Sequence, residues 1–192
     1  MKNEFITQIK EKLSQNIDQL TRQYKEGHTG TRTKFFILDN LIDNESVRSI
    51  YKQFDGDYWL LQDTFREKKL TYAKLDNLDP ILSNITEAFH DKEIVSLVSK
   101  ITGVNNLEYD PSLYAGGISK MRKGHFLNPH IDNSHDGGRK RYRRLNLLFY
   151  VSPGLEEKHG GNFELWDDKV KYPVKIPAKF NRLVVMETGD HT

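Results

Sequence analysis

A histidine and an aspartate two residues apart, His130 and Asp132, have the residue types and the spacing that could hold a metal ion. Side chains two residues apart on a strand point to the same face of the sheet. An imidazole nitrogen and a carboxylate oxygen from one face, with one more histidine from elsewhere, form the facial triad that binds iron(II) and leaves positions open for oxygen chemistry. The pair alone is a weak signal, so its meaning depends on the segments that follow it.

Three segments downstream of the pair have the composition of strands. They are rich in β-branched and aromatic residues, and the second is opened by a glycine pair that suits a turn or a bulge. These segments are Arg144–Val151, Gly160–Trp166 and Phe180–Glu187. The stretch from Pro153 to His159 between the first two has a loop composition. An antiparallel β region is therefore predicted behind the His-x-Asp pair.

The first half of the chain has mainly helical signals. Apolar residues spaced by three and four predict one amphipathic helix from Phe5 to Tyr24, which could serve as a flank of the β region or as an oligomer contact. Capping and turn residues predict further elements at Lys34–Leu38 (strand), Asp43–Phe54 (helix), Pro80–His90 (helix) and Lys92–Thr102 (helix). The periodicity of Asp55–Asp79 does not decide between short strands and a loop.

Size and composition bound the class of protein. A chain of 192 residues with 36% apolar content can bury one substantial core. We therefore expect a single domain of the α+β class over residues 1–192, with a helical support region over about 1–105 and a β-barrel region over about 106–192.

Cysteine content, charge and hydropathy exclude several function classes. The chain has no cysteine, so a metal site must use nitrogen and oxygen ligands. Its 29 basic and 27 acidic residues nearly cancel, and the total charge therefore gives no support to nucleic-acid or membrane binding. No apolar run approaches the roughly 20 residues of a membrane span, and the polar start lacks the apolar core of a signal peptide. The sequence thus predicts a cytoplasmic protein.

One local cluster of positive charge stands out, the segment Arg139–Arg144, with five charges in six positions and a tyrosine inside. It could be a nucleic-acid patch, a solvated entry to a strand, or a basic rim that attracts an anionic cosubstrate or an acidic substrate. The balanced total charge disfavours nucleic acid.

Taken in order along the chain, these motifs resemble the prolyl 4-hydroxylase-like branch of the iron(II)- and 2-oxoglutarate-dependent dioxygenases. The motifs that carry the resemblance are Phe36–Ile42 leading into a helix, His130-x-Asp132, Asn146–Val151, Gly160–Leu165 and Asn181–Thr188. Several motifs in family order are far more specific than any one of them.

The resemblance implies a double-stranded β-helix, a jelly-roll-like barrel with flanking N-terminal helices. It implies iron(II) held by His130, Asp132 and a second histidine, and 2-oxoglutarate with its far carboxylate near Tyr150. The implied cofactors are iron(II), 2-oxoglutarate and O2, with ascorbate as a further candidate. The implied reaction is hydroxylation of a protein side chain, an amino acid or a small metabolite, with release of succinate and carbon dioxide. Asp55–Asp79 is our candidate for a substrate lid, and no residue predicts the oligomeric state.

The sequence departs from the family pattern at two places. The second histidine ligand and the basic residue that anchors 2-oxoglutarate would both fall beyond Thr192 by the family register, so the sequence resembles a truncated member. His191 is the only other candidate ligand at that end. Met121 stands where many relatives carry a tyrosine that reaches the cosubstrate. The alternatives are a non-catalytic barrel or fragment that acts as a binding module, and a cupin-like metal enzyme that does not use 2-oxoglutarate.

Overall fold

A computed structural model describes residues 1–114, 116–132, 134–166 and 169–189. These residues form five α-helices and nine β-strands. The helices are α1 Lys2–Gln15, α2 Ile17–Glu26, α3 Asn44–Lys52, α4 Pro80–Phe89 and α5 Lys92–Thr102. The strands are β1 Phe35–Asp39, β2 Leu60–Asp63, β3 Glu67–Tyr72, β4 Ile118–Lys120, β5 Phe126–Leu127, β6 Leu145–Tyr150, β7 Phe163–Leu165, β8 Val174–Ile176 and β9 Arg182–Glu187.

The main sheet has the strand order β1-β9-β6, and both pairings are antiparallel. Leu183 and Val185 of β9 point to one face, where they join the larger hydrophobic cluster with residues of all five helices. Val184 and Met186 point to the other face and join a smaller cluster with β7 and β8. Because the residues of β9 alternate between two apolar environments, the central strand is buried on both sides.

The helices pack on one face of this sheet, and their ends carry the caps that the sequence indicates. Asp43, Asp79 and Asp91 each accept a backbone N–H of the first turn of α3, α4 and α5. Helix α5 ends at Gly103, whose φ of 73° lies in the left-handed region that favours glycine.

The prediction of one continuous helix from Phe5 to Tyr24 is wrong. The chain forms two helices that meet at Asn16, whose φ of −111° and ψ of 10° are not helical. The Asn16 side chain donates a hydrogen bond to the Lys12 carbonyl at 2.8 Å, so it competes with the backbone for a helical acceptor. The apolar spacing continues across the break, which explains why periodicity alone did not reveal it.

The segment that the sequence left open forms a β-hairpin. Strands β2 and β3 pair antiparallel, and β3 also pairs with β4 and β5 to form a second small sheet. The hairpin turn presents Phe65, whose residue surface is 93% exposed. Asn128, which follows β5, donates from its side chain to the Phe65 carbonyl at 2.8 Å and from its backbone to the Arg66 carbonyl at 2.9 Å. These bonds fix the turn beside the segment that leads to His130.

Strands β7 and β8 pair antiparallel and form a third, two-stranded sheet. The sequence prediction of a glycine-opened strand is confirmed here, because Gly160 and Gly161 have φ of 75° and 73° directly before β7.

The five helices and the antiparallel sheets confirm the α+β class. Three of the strands, β1 to β3, lie inside the region that the sequence assigned to helical support. Among the described residues, none of the helices has the length and apolar character needed to traverse a bilayer.

Candidate metal centre

His130 lies in an irregular segment after β5, whereas the sequence predicted a strand for it. Pro129 has no N–H for a ladder hydrogen bond, and the backbone and side-chain nitrogens of Asn128 each donate to the turn of the β2–β3 hairpin. The Nδ1 atom of His130 lies 2.8 Å from the Asn128 carbonyl. Since a carbonyl only accepts, Nδ1 donates, and Nε2 of the neutral imidazole then keeps a free lone pair. A histidine that binds a metal is commonly oriented in this way.

Asp132 is held from the main sheet. The side-chain amide of Asn146, on β6, donates to Oδ2 of Asp132 at 3.1 Å. The Arg143 guanidinium lies 3.7 Å from Oδ1, as an ion pair longer than a hydrogen bond. Both partners of this ion pair are largely shielded, with side chains 15% exposed for Arg143 and 21% for Asp132. The carboxylate is therefore positioned by two side chains that enter from the start of β6.

The donors fit part of an iron(II) site. His130 offers one imidazole nitrogen and Asp132 offers carboxylate oxygens, which is the nitrogen and oxygen combination of the facial triad. Within the described ranges, no group of three His, Asp or Glu side chains is arranged to hold a metal ion. The candidate third ligand, His191, lies outside the described residues.

Tyr150 lies on the same face of β6 as Asn146, four residues further along, which is roughly 13 Å at strand spacing. Its ring packs in the smaller hydrophobic cluster between the main sheet and the β7–β8 pair. Burial raises the pKa of the Tyr150 hydroxyl, and the nearby Arg182 opposes that shift. The hydroxyl therefore stays protonated at neutral pH and is able to donate a hydrogen bond.

Two further histidines and Met121 lie in the segments around the pair. His135 is half-buried, its ring lies tilted against that of Tyr142, and its Nδ1 atom lies 2.8 Å from the Ser134 hydroxyl oxygen. The Nδ1 atom of His125 is buried without a hydrogen-bond partner among the described residues. Met121 is exposed.

Two residues at the site were not assigned to it from the sequence. Arg143 was grouped with the basic cluster, whereas its guanidinium turns inward to Asp132 and also donates to the Tyr114 carbonyl. Asn146 begins the Asn146–Val151 motif of the sequence analysis, and the structure adds its contact with Asp132. The signal for Asn146 was its polarity in an apolar strand, but nothing in the sequence distinguishes Arg143 from its charged neighbours.

Part of the chain is similar to a known protein family. Residues 116–192 match the family model described as the 2OG-Fe(II) oxygenase superfamily. None of the curated proteins matches the chain significantly.

Two solved structures are similar in fold. The first is a prolyl hydroxylase from Trichoplax adhaerens in complex with a peptide fragment of the hypoxia inducible factor oxygen degradation domain. It has 17% identity and a TM-score of 0.58 over 93% of this chain and 82% of that chain. The second, from a study of prolyl 4-hydroxylases of Phytophthora capsici, has 15% identity and a TM-score of 0.52 over 95% of this chain and 57% of that chain. At these identities the likeness concerns the fold. Residues 116–192 are thus similar to the 2OG-Fe(II) oxygenase superfamily, and the chain shares the fold of these two prolyl hydroxylase structures.

Proposed function

We propose that the chain is an iron(II)- and 2-oxoglutarate-dependent oxygenase that hydroxylates a side chain of a polypeptide and releases succinate and carbon dioxide. The observation that carries the proposal is that hydrogen bonds orient two candidate metal-binding side chains in one segment. His130 is oriented by its bond to the Asn128 carbonyl, and Asp132 is held by Asn146. Oriented ligands of these types, in a segment that matches the model of the 2OG-Fe(II) oxygenase superfamily, favour iron(II).

The residues of the site have separate tasks in this proposal. Bound iron(II) would supply the redox centre at which 2-oxoglutarate and O2 react. His130 would bind the metal through Nε2, and Asp132 through a carboxylate oxygen. Asn146 would keep that carboxylate in one orientation. Tyr150, protonated because burial raises its pKa, would donate a hydrogen bond to the far carboxylate of 2-oxoglutarate.

We further propose that the antiparallel sheets are the two faces of a double-stranded β-helix within one domain. The face of β6 and β9 that packs against β7 and β8 would be the interior of this barrel. In that arrangement Tyr150 projects between the two layers, while Asn146 reaches the mouth where Asp132 lies. The cosubstrate would then extend from the mouth into the interior.

The choice of a polypeptide substrate rests on two observations. The Trichoplax adhaerens prolyl hydroxylase was solved with a peptide fragment. In this chain, the turn of the β2–β3 hairpin presents an almost fully exposed phenylalanine, Phe65, beside the segment that leads to His130. An exposed aromatic side chain on a supported turn suits contact with a peptide, and the hairpin would act as the substrate lid.

The test is an anaerobic titration of iron(II) and 2-oxoglutarate into the chain, with detection of the visible charge-transfer band of keto-acid chelation. We expect a band in the wild type, its loss in His130→Ala, and its retention in the control His135→Ala. Admission of O2 should then yield succinate. Absence of the band in the wild type would refute the proposal. A band without succinate formation would favour a non-catalytic binding module.

A further inference from the structure

Residues 134–143, which we call the basic hairpin, form a tight projection directly after the candidate metal centre. A β-bridge pairs His135 with Tyr142, and the Arg143 N–H donates to the Ser134 carbonyl at 2.9 Å. The rings of His135 and Tyr142 are in contact at a tilt of 38°, with their centroids 4.4 Å apart. The basic segment is therefore a folded hairpin with its own cross-strand contacts.

The turn of the basic hairpin is fixed by one aspartate. Oδ1 of Asp136 accepts the backbone N–H of Lys140 at 2.8 Å and of Arg141 at 3.3 Å. The Asp136 carbonyl accepts the N–H of Arg139 at 3.0 Å. The backbone that carries these cations is thus organised before any partner arrives, which reduces the entropy cost of binding.

The side chains of the turn are available for contact. Among the described residues, Arg139 and Lys140 have no ion-pair partner. Arg141 pairs with Glu108 at 3.1 Å, and because both side chains are more than half exposed, this pair is weak and easily exchanged. Tyr142 is 74% exposed next to them. Arginine and tyrosine are enriched in protein interfaces, where each combines apolar contact with hydrogen bonding.

The charge distribution indicates an acidic polypeptide segment as the partner. The whole chain carries a net charge of only +2, so the positive charge is concentrated locally and does not extend over a broad surface. Nucleic acid presents a long row of phosphates, and its binders typically neutralise several of them along an extended basic face. A short run of acidic side chains matches a single hairpin better.

We propose that the basic hairpin binds an acidic segment of the polypeptide substrate. This inference rests on the proposed function, because only an oxygenase that acts on a polypeptide has such a substrate. The base of the hairpin is at the site, because Arg143 lies 3.7 Å from Asp132. From residue 143 to residue 139 the chain reaches at most roughly 13 Å, the length of four fully extended residues. An extended substrate would therefore place its acidic residues within about four positions of the side chain that is hydroxylated.

The experiment measures fluorescence anisotropy with a labelled peptide that has four glutamates beginning about four residues from a central proline. A peptide with glutamine in place of glutamate is the reference. The test variant is Arg139→Gln/Lys140→Gln, and the matched control is Arg22→Gln/Lys25→Gln on α2, where both residues are exposed. We expect the test variant to bind about tenfold more weakly at low salt, the control to bind as the wild type does, and the difference to shrink at high salt.

Three outcomes would overturn the inference. One is equal binding of the glutamate and glutamine peptides, and another is unchanged binding by the test variant. The third is tighter binding of a single-stranded oligonucleotide or of phosphatidylserine vesicles that is lost in the same variant. The assay contains neither iron(II) nor 2-oxoglutarate, so its outcome does not depend on metal or cosubstrate binding. Failure of this inference is thereby distinguishable from failure of the iron titration.

Discussion

The hydrogen bond between Asn146 and Asp132 leads to a quantitative prediction about metal affinity. Replacing Asn146 with alanine removes the donor to Oδ2 of Asp132 while the Arg143 guanidinium stays 3.7 Å from Oδ1. A hydrogen bond to a charged group contributes about 1.5–3 kcal/mol, which corresponds to roughly 10- to 150-fold in an equilibrium constant. The 3.1 Å length and the partial exposure of Asp132 favour the lower end. We expect iron(II) or cobalt(II) to bind about 10- to 30-fold more weakly.

The assay is titration of the chain with cobalt(II) in the presence of 2-oxoglutarate, followed by visible absorption. Asn105→Ala is the control, because Asn105 is exposed on a loop. A double-mutant cycle tests whether Asn146 acts on metal affinity through Asp132. In that case, Asn146→Ala should have no further effect on metal affinity in an Asp132→Ala background. Metal affinity of Asn146→Ala within twofold of the wild type would refute the reasoning. An equal loss in both backgrounds would show that Asn146 acts on the fold and not on Asp132.

Three further predictions concern the cosubstrate, the lid and the fold. Tyr150→Phe should raise the KM for 2-oxoglutarate about tenfold and leave the thermal unfolding temperature unchanged, because only a buried hydrogen-bond donor is removed. Steady-state succinate formation measures this KM. Phe65→Ala should lower kcat/KM for a peptide substrate about tenfold and leave the charge-transfer band intact, since the ring is exposed at the turn of the β2–β3 hairpin. Hydrogen bonds from Arg182, and then from Lys179, lower the pKa of Asp39 to about 2 against the opposing effect of burial. Because the pKa is lower in the folded state, the ionised carboxylate stabilises the fold fully at pH values above the unfolded pKa of about 3.9. This stabilisation is lost as the pH falls towards 2. Asp39→Asn should therefore reduce the free energy of unfolding in urea by about 1–2 kcal/mol at neutral pH, after solvent screening, with the difference shrinking in acid.

The elements that the sequence predicted well are those with local signals. Helices α4 and α5 begin at aspartate caps and α5 ends at a left-handed glycine, so their bounds follow from a few neighbouring residues. The strands β6 and β9 follow from apolar runs of β-forming residues. Each of these signals acts over a few positions, which is the range that a single sequence reports.

What the sequence did not predict depends on contacts between distant segments. The β2–β3 hairpin has an exposed first strand, and its turn is fixed by Asn128, about sixty positions later. The inward orientation of Arg143 depends on Asp132 and on the Tyr114 carbonyl. In the linear pattern, Arg143 is one of several similar cations. Tertiary contacts alone select which of them turns inward.

The contact between Asn146 and Asp132 also joins two sheets that share no strand in the described part of the chain. Asp132 follows β5, which pairs with β3, whereas Asn146 is on β6, which pairs with β9. No backbone ladder among the described residues sets the distance between these sheets at the site, so side chains must do so. A substitution here can therefore shift the two ligands relative to each other while both sheets remain folded. Metal affinity should respond to such a change more strongly than the free energy of unfolding, because ligand geometry is the quantity that the side-chain contact controls.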